Sequence, residues 1–197
     1  LDFSCALLDS DGRLVANAPH IPVHLGALGV CVRMVSEGRE WAEGDMVVVN
    51  HPGFGGSHLP DVTVISPVFS ESQVIGYVAN RAHHAEIGGL APGSMPASAG
   101  CLEEEGVVIP PMLLFEGGQS RFEDLESHFY AAAHPSRCVE DNMADLAAQV
   151  AANRHGVEAV GRLVGKSGAE EVRKQMATLY QRAAEIMRER LGRVGEA

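Results

Sequence analysis

Histidines and carboxylates are concentrated between Asn50 and Glu105, and these residue types bind divalent metals. His58 and Asp61 stand three residues apart just before an apolar run, and His83 follows a second apolar run. Imidazole and carboxylate ligands together suit Zn, Mn or Fe. A mixed site with an open coordination position can polarise a carbonyl group or lower the pKa of a bound water. The spacing therefore predicts a divalent-metal site; the structural alternative is loop histidines that hydrogen-bond to backbone carbonyls.

The two apolar runs explain how these side chains could meet. Residues 62–69 and 74–79 are rich in β-branched residues and are separated by a polar four-residue loop, which predicts a β-hairpin. Antiparallel pairing places the start of one strand beside the end of the other. Adjacent side chains in extended backbone face opposite ways. We therefore predict that His83 is a ligand, and that His84 supports the ligands or the fold.

Glycine-rich segments raise the question of a phosphate site in this chain. Gly53-Phe54-Gly55-Gly56 precedes a predicted strand, whereas the dinucleotide fingerprint needs a helix after its glycines. The favoured interpretation is a glycine turn that shapes the metal loop, the segment that carries His58 and Asp61. The segment from Gly161 to Ser167 is one residue short of the P-loop pattern and falls on a helical stripe, so we reject it as a nucleotide site.

The remaining sequence predicts a mixed fold that ends in helices. Strands are predicted at residues 3–8, 13–16, 45–49, 107–109 and 112–115, and helices at 26–36 and 123–133. Pro22 is expected to interrupt any helix at 19–24, so the four-residue spacing of His20 and His24 is given no weight. From Val139 a 4,3 apolar spacing predicts two amphipathic helices joined at 165–168. The expected class is α+β, with a mixed, largely antiparallel, sheet-rich metal-site domain at 1–135 and an α-helical hairpin appendage at 136–197.

Composition argues against several classes of function. The formal net charge of -11 disfavours a nucleic-acid or anionic-membrane surface, because phosphate binding needs clustered Lys and Arg. No apolar run reaches the roughly 18 residues of a membrane span. Cys5, Cys31, Cys101 and Cys138 are scattered, which predicts buried, reduced thiols in a cytoplasmic protein. Because the chain starts at Leu1, we interpret it as a fragment or a processed product.

Several longer motifs resemble the hydantoinase B/oxoprolinase family. They are Asp2-Phe3-Ser4-Cys5-Ala6-Leu7, Ala18-Pro19-His20-Ile21-Pro22-Val23-His24-Leu25-Gly26, Gly55-Gly56-Ser57-His58-Leu59-Pro60-Asp61, Asn80-Arg81-Ala82-His83-His84, Pro92-Gly93-Ser94-Met95-Pro96 and Asp145-Leu146-Ala147-Ala148-Gln149-Val150-Ala151-Ala152-Asn153. The resemblance implies a B-type subunit, or its N-terminal part, of an ATP-dependent hydrolase that opens hydantoin, 5-oxoproline or a lactam. Related subunits of acetone and acetophenone carboxylases leave carboxylation as an alternative. A non-catalytic assembly module is the alternative from another class.

The resemblance also implies site residues, cofactors and a partner. The metal ligands carried over by motif are His58, Asp61 and His83, with Asp2 as a further candidate; the predicted substrate contacts are His84, Arg81 and Ser94. The metal is expected to be Zn, Mn or Fe. A hydantoinase A-like subunit is expected to bind ATP and phosphorylate the substrate. The active protein would then be a hetero-oligomer, and the isolated chain would be inactive.

Two features depart from the family pattern. Asn50-His51-Pro52 stands where the family usually has Asn-Asp-Pro, which removes a carboxylate from the local hydrogen bonding. The chain is also far shorter than family members. It is therefore interpreted as an N-terminal fragment, a split subunit, or a remnant that binds metal without turnover.

Overall fold

The computed structural model of the chain describes residues 2–19, 21–93 and 95–194. Within these ranges the strands are Phe3–Asp9 (β1), Leu14–Ala18 (β2), Met46–Val49 (β3), Asp61–Ser70 (β4), Gln73–His83 (β5), Met112–Glu116 (β6) and Gln119–Ser120 (β7). The α-helices are Pro22–Ser36 (α1), Leu102–Glu105 (α2), Phe122–Ala131 (α3), Val139–Ser167 (α4) and Ala169–Val194 (α5). A short 3-10 turn covers Pro52–Phe54.

The strands of the described ranges form one antiparallel sheet in the order β2-β1-β5-β4-β3-β6-β7. The β4–β5 hairpin lies at its centre, with β1 paired to β5 and β3 paired to β4. The α+β class expected from the sequence, with C-terminal helices, is confirmed.

Alternating side chains on each strand divide the core into two faces. On β3, Val47 packs in the cluster under α1, whereas Val48 packs in the cluster under α3 and α4. On β4, Val64 and Ile65 divide in the same way. Successive residues of a strand point to opposite faces, so a sheet covered by helices on both sides needs apolar residues in unbroken runs. This explains why the central strands are almost continuously apolar.

Helix α4 is attached to the sheet by hydrogen bonds as well as by apolar packing. Asn153, which occupies an expected apolar position, donates to the carbonyl oxygen of Val64 at 3.1 Å. Gln149 donates to the carbonyl oxygen of Val62 at 2.9 Å and to Asn80 Oδ1 at 2.7 Å. These amides are buried and satisfied, which fixes the position of α4 along the sheet. The division at residue 135 stays an interpretation, and the structure shows that α4 completes the core of the sheet.

The expectation that Pro22 interrupts a helix was wrong. Helix α1 begins at Pro22, because the first helical position needs no backbone donor and proline presets the helical φ angle. His24 therefore lies in the first turn of α1 and is buried. His20 falls outside the described residues.

Two other expectations about elements were wrong. Residues 107–109 are not a strand, although Val107 and Ile109 are buried. Ile109 donates its N–H to Asn50 Oδ1 at 2.7 Å, and the two prolines that follow lack N–H groups. Helix α4 continues through Gly165 to Ser167, and the break falls at Gly168 alone, with φ of +82°. The segment that resembles a P-loop is therefore helical throughout.

The four cysteines are unpaired, but only Cys31 is buried. Cys5 is partly buried, and Cys101 and Cys138 are exposed, so the expectation of buried thiols holds for part of the set. Burial raises the pKa of the Cys5 and Cys31 thiols above the usual value. Among the described residues, no helix combines the length and apolarity needed to cross a membrane.

A partly buried carboxylate, that of Glu86, fastens the loop after β5 to the segment that leads into α4. Glu86 accepts hydrogen bonds from Ser136 Oγ at 2.8 Å, from the backbone and guanidinium of Arg137 at 2.6 Å each, and from Gly88 N–H at 2.9 Å. Burial raises the pKa of Glu86, but these donors outweigh it and hold that pKa below its ordinary value. The charged form is therefore the one that stabilises the fold.

We predict that Glu86→Gln lowers the free energy of unfolding by about 1–3 kcal/mol at pH 7, because its donors lose a charged acceptor. The folded-state pKa is depressed, so this stabilisation is present above the unfolded pKa and is lost as pH falls through the folded value. Urea unfolding of both proteins between pH 7 and 3 should show the difference shrinking toward acid.

Glu116→Gln is the matched control, since Glu116 pairs with Arg121 at the exposed surface. It should cost less than about 1 kcal/mol. A Glu86→Gln difference that stays constant over the pH range would contradict the assignment.

Candidate metal centre

The β4–β5 hairpin brings His58, Asp61 and His83 together. Asp61 is the first residue of β4 and lies directly opposite His83, the last residue of β5. His58 lies in the turn that precedes β4, and its carbonyl oxygen accepts the Asp61 N–H at 3.0 Å. One ligand atom from each of the three residues lies within 4.8 Å of the others. The convergence expected from the hairpin is therefore observed.

The distances between these atoms are compatible with hydrogen bonds and with a shared metal ion. His83 Nδ1 lies 3.3 Å from Asp61 Oδ1, and His58 Nδ1 lies 3.4 Å from Asp61 Oδ2. His58 Nε2 is 3.2 Å from His83 Nδ1. Two ligands of a tetrahedral ion with bonds of about 2.1 Å stand about 3.4 Å apart. His58 can offer only one ring nitrogen to a given ion, so its two distances belong to alternative ligand sets. The nitrogen and oxygen donors present fit a divalent cation in type, and one from each residue lies within 4.8 Å of the others.

The side chain of Asn50 fixes the loop that carries His58 by hydrogen bonds. The buried Asn50 amide donates to the carbonyl oxygens of Leu59 at 2.8 Å and Val107 at 2.9 Å. The following His51 accepts the Gly53 N–H on Nδ1 at 2.8 Å. An aspartate at position 51 would offer an acceptor of the same kind, so the departure from Asn-Asp-Pro preserves this turn.

Gly55 shows that the glycine run has a steric role. Its φ is +79°, and a Cβ there would lie 2.7 Å from the Cys31 backbone nitrogen in α1. A strand, β4, follows this loop, so its backbone offers no helix N-terminus to a phosphate. The interpretation as a turn that shapes the metal loop is the one that the geometry favours.

Asp61 is a buried carboxylate surrounded by donors and positive charge. Its side chain is 1% exposed, against 21% for His58 and 29% for His83. Burial raises the pKa of Asp61, but the Ser57 hydroxyl and the charges of His58, His24 and Arg81 outweigh burial and lower it. Asp61 is therefore ionised at neutral pH, as a carboxylate ligand must be.

His24 is the residue that sequence reasoning missed. Its ring is fully buried in α1, Nδ1 lies 2.9 Å from Ser4 Oγ, and Nε2 lies 3.5 Å from Asp61 Oδ2. Nε2 has no hydrogen-bond partner within the described residues. The preference of proline for the first helical position was the signal that could have placed His24 on a helix facing the sheet.

Asp2 lies next to the cluster but outside it. Its carbonyl oxygen accepts the His83 N–H at 2.9 Å, and its exposed side chain lines a cavity of about 340 Å³. His83 and Asp145 line the same cavity, between the sheet and α4. Asp2 is therefore tied to His83 through its backbone, while its carboxylate is not part of the cluster.

The predicted substrate contacts lie in different surroundings. His84 is fully buried, with Nε2 3.1 Å from Gln149 Oε1 and Nδ1 3.2 Å from Asn142 Nδ2. Burial lowers the pKa of His84 below its ordinary value. Arg81 is also fully buried, and donates to Thr63 Oγ1 at 2.8 Å and to the Gly55 carbonyl oxygen at 2.9 Å. Ser94 falls outside the described residues.

Known proteins of one family match both the sequence and the fold. The chain is 43% identical to the 5-oxoprolinase of Saccharomyces cerevisiae over 207 residues, which cover all of this chain and 16% of that protein. It is 31% identical to caprolactamase subunit beta of Pseudomonas jessenii over 189 residues, or 95% of this chain and 32% of the relative.

Two solved structures share the architecture. The crystal structure of the ATP-dependent caprolactamase from Pseudomonas jessenii matches with a TM-score of 0.86 and 30% identity, covering 96% of this chain and 32% of that one. The nucleotide-free structure of acetone carboxylase matches with a TM-score of 0.78 and 20% identity, covering 91% and 24%. The second likeness concerns the fold alone.

The family model of hydantoinase B/oxoprolinase matches residues 1–197, the whole chain. The resemblance carried by the sequence motifs is thereby confirmed, while the chain spans a third or less of the length of these relatives. The fold, the gathered His58, Asp61 and His83, and this match together place the chain in the hydantoinase B/oxoprolinase family.

Proposed function

We propose that the chain is the N-terminal part of a B-type subunit of an ATP-dependent cyclic-amide hydrolase, with a divalent-metal site formed by His58, Asp61 and His83. The observation that carries this proposal is the convergence of these side chains at one end of the β4–β5 hairpin. It is supported by the fold shared with the ATP-dependent caprolactamase.

The histidines and the aspartate have different roles at this site. His58 and His83 are partly exposed and present their ring nitrogens beside the buried Asp61 carboxylate, which supplies the negative charge. When bound, a divalent ion would supply Lewis-acid chemistry that polarises an amide carbonyl. Asp2 is proposed as a further ligand, since the backbone already ties it to His83.

The adjoining cavity is the proposed place for the substrate. Its volume of about 340 Å³ is within the range of small-molecule sites. Apolar residues such as Phe3 and Ala82 line it together with the Asp2 and Asp145 carboxylates and the Asn80 amide. An apolar wall with a few polar groups suits the ring of a hydantoin, an oxoproline or a lactam.

Arg81 and His84 are proposed to support the backbone of the site without contacting the substrate. Their polar atoms are buried and mostly bonded to protein groups, Arg81 to the metal loop and His84 to α4. They would fix the backbone on either side of His83 and leave substrate contact to the cavity.

ATP chemistry is proposed to come from a hydantoinase A-like partner in a hetero-oligomer. The proposal follows the relative named as a beta subunit and the ATP-dependent enzyme to which it belongs. In this chain the P-loop-like segment is part of α4, and the glycine run leads into β4. Neither offers the loop and helix N-terminus that cradle a nucleotide phosphate.

Hydrolysis is preferred over carboxylation because the 5-oxoprolinase is 43% identical, whereas acetone carboxylase shares the fold at 20% identity. A non-catalytic assembly module would have no need for a bound ion, so metal content separates it from both enzymes.

We predict that the purified chain carries close to one divalent ion, and that His58→Ala, Asp61→Ala and His83→Ala each lose it, because each removes one ligand. Elemental analysis after gel filtration measures the content. His84→Ala should retain the ion, since both ring nitrogens of His84 bond to other protein groups.

His155→Ala is the control, because His155 is an exposed histidine of α4. Retention of stoichiometric metal by His58→Ala and Asp61→Ala would disprove the assignment. Loss in His84→Ala with retention in His83→Ala would reverse the choice between the two neighbours.

We predict that the isolated chain does not hydrolyse ATP or open a cyclic amide, because it has no nucleotide cradle among its described residues. The pure chain is incubated with ATP and hydantoin, 5-oxoproline or caprolactam, and both ADP and ring-opened product are measured. Metal-dependent formation of both by the chain alone would contradict the proposal of an ATP-binding partner.

A further inference from the structure

Ser4, His24 and Asp61 form a buried line that runs from β1 through α1 to the candidate metal centre. Ser4 Oγ lies 2.9 Å from His24 Nδ1, and His24 Nε2 lies 3.5 Å from Asp61 Oδ2. All three side chains are 1% exposed or less. The line approaches Asp61 from the interior, whereas His58 and His83 approach it from the partly exposed side.

The order of residue types is that of a serine–histidine–aspartate triad, but the geometry excludes a nucleophile. The Ser4 hydroxyl is fully buried and lies 3.2 Å from the Pro19 carbonyl oxygen as well as near His24. A nucleophile must reach a substrate, and Ser4 is enclosed by protein on every side. The line must therefore act on Asp61 and not on a substrate at Ser4.

A protonated His24 ring carries N–H on both nitrogens, so that Nε2–H faces Asp61 whatever Ser4 does. For a neutral ring, the hydrogen bonding of Ser4 decides which nitrogen carries the proton. If the hydroxyl donated to Pro19, Nδ1–H would donate to Ser4, and the neutral ring would turn a bare Nε2 toward a carboxylate oxygen. Two acceptors facing each other at 3.5 Å without solvent repel. If the hydroxyl donates to Nδ1, at the shorter of its two distances, Nε2–H faces Asp61 Oδ2 and attracts it.

We propose that His24 is a positioning residue that attracts the Asp61 carboxylate across the 3.5 Å contact from Nε2, with Ser4 fixing the ring at Nδ1. The inference rests on the proposed metal site. Asp61 Oδ2 accepts the Ser57 hydroxyl and lies 3.5 Å from His24 Nε2 and 3.4 Å from His58 Nδ1, while Oδ1 lies 3.3 Å from His83 Nδ1. His24 itself lies outside the group whose ligand atoms are mutually within 4.8 Å. Loss of a group that orients a metal ligand in this way typically lowers metal affinity by about 10- to 100-fold.

The test compares amide replacements of His24 in the 197-residue chain. A glutamine N–H can reach the position of Nε2, whereas an asparagine N–H reaches only that of Nδ1. His24→Asn should weaken Mn²⁺ binding in calorimetric titration by about 10- to 100-fold, and His24→Gln should restore most of it. Ser4→Ala should weaken binding in the same direction, whereas Ser4→Thr, which keeps the hydroxyl, should not.

His128→Asn is the control for the substitution, because His128 is partly buried and its Nε2 lies 2.7 Å from the Val108 carbonyl oxygen, away from Asp61. It should lower the thermal midpoint without changing Mn²⁺ affinity. The absorption spectrum of the Co²⁺-loaded chain gives a second measure, since His24→Asn should alter the ligand field and His128→Asn should not.

The outcomes separate this inference from the proposed function. Folded His24→Asn with unchanged affinity and spectrum would overturn the positioning role while leaving the metal site intact. If His24→Asn fails to fold, equal affinities for Ser4→Ala and Ser4→Thr would overturn it instead. Failure of the unaltered chain to bind Mn²⁺ or Zn²⁺ would overturn both. Labelling of Ser4 by a fluorophosphonate would show that it is a nucleophile and would also overturn the inference.

Discussion

The antiparallel register of β4 with β5 is the constraint on which the rest of the structure depends. It sets Asp61 opposite His83, and a shift of one residue would turn one of them to the other face of the sheet. The flanking strands hold this register. β1 pairs with β5, carries Ser4 and follows directly on Asp2, and β3 pairs with β4 and leads into Asn50. The site is thus assembled from residues on several strands, but one pairing determines whether they meet.

Helices pack on both faces of the hairpin, and α1 and α4 contribute differently to the site. Helix α1 brings His24 behind Asp61, on the face where Arg81 reaches the glycine loop. Helix α4 is bonded through Gln149 to β4 and to His84. Buried polar groups of this kind stabilise only when each has a partner. The bonds of Gln149 fix the position of α4 on the sheet, and therefore the shape of the cavity beside His83.

Asp61 illustrates how a buried charge is retained in such a fold. Burial alone would favour the neutral carboxylic acid, and the Ser57 hydroxyl with three nearby basic side chains reverses this. His24 and Arg81 act on the carboxylate from the interior. His58, which is partly exposed, both helps to keep the carboxylate ionised and is one of the residues proposed to bind metal with it.

The sequence by itself determined the family, the hairpin and the three residues gathered by it. Residue types at short spacing and two apolar runs suffice for this, because strand pairing follows from local pattern and a turn. It did not determine the place of His24, since a proline can end one helix or begin another, and only the packing of α1 on the sheet showed which. It also did not show that residues 107–109 are held by Asn50, or that an asparagine at position 153 belongs in the interior. Those outcomes depend on contacts between residues more than 50 positions apart, and such contacts are decided when the whole core is packed.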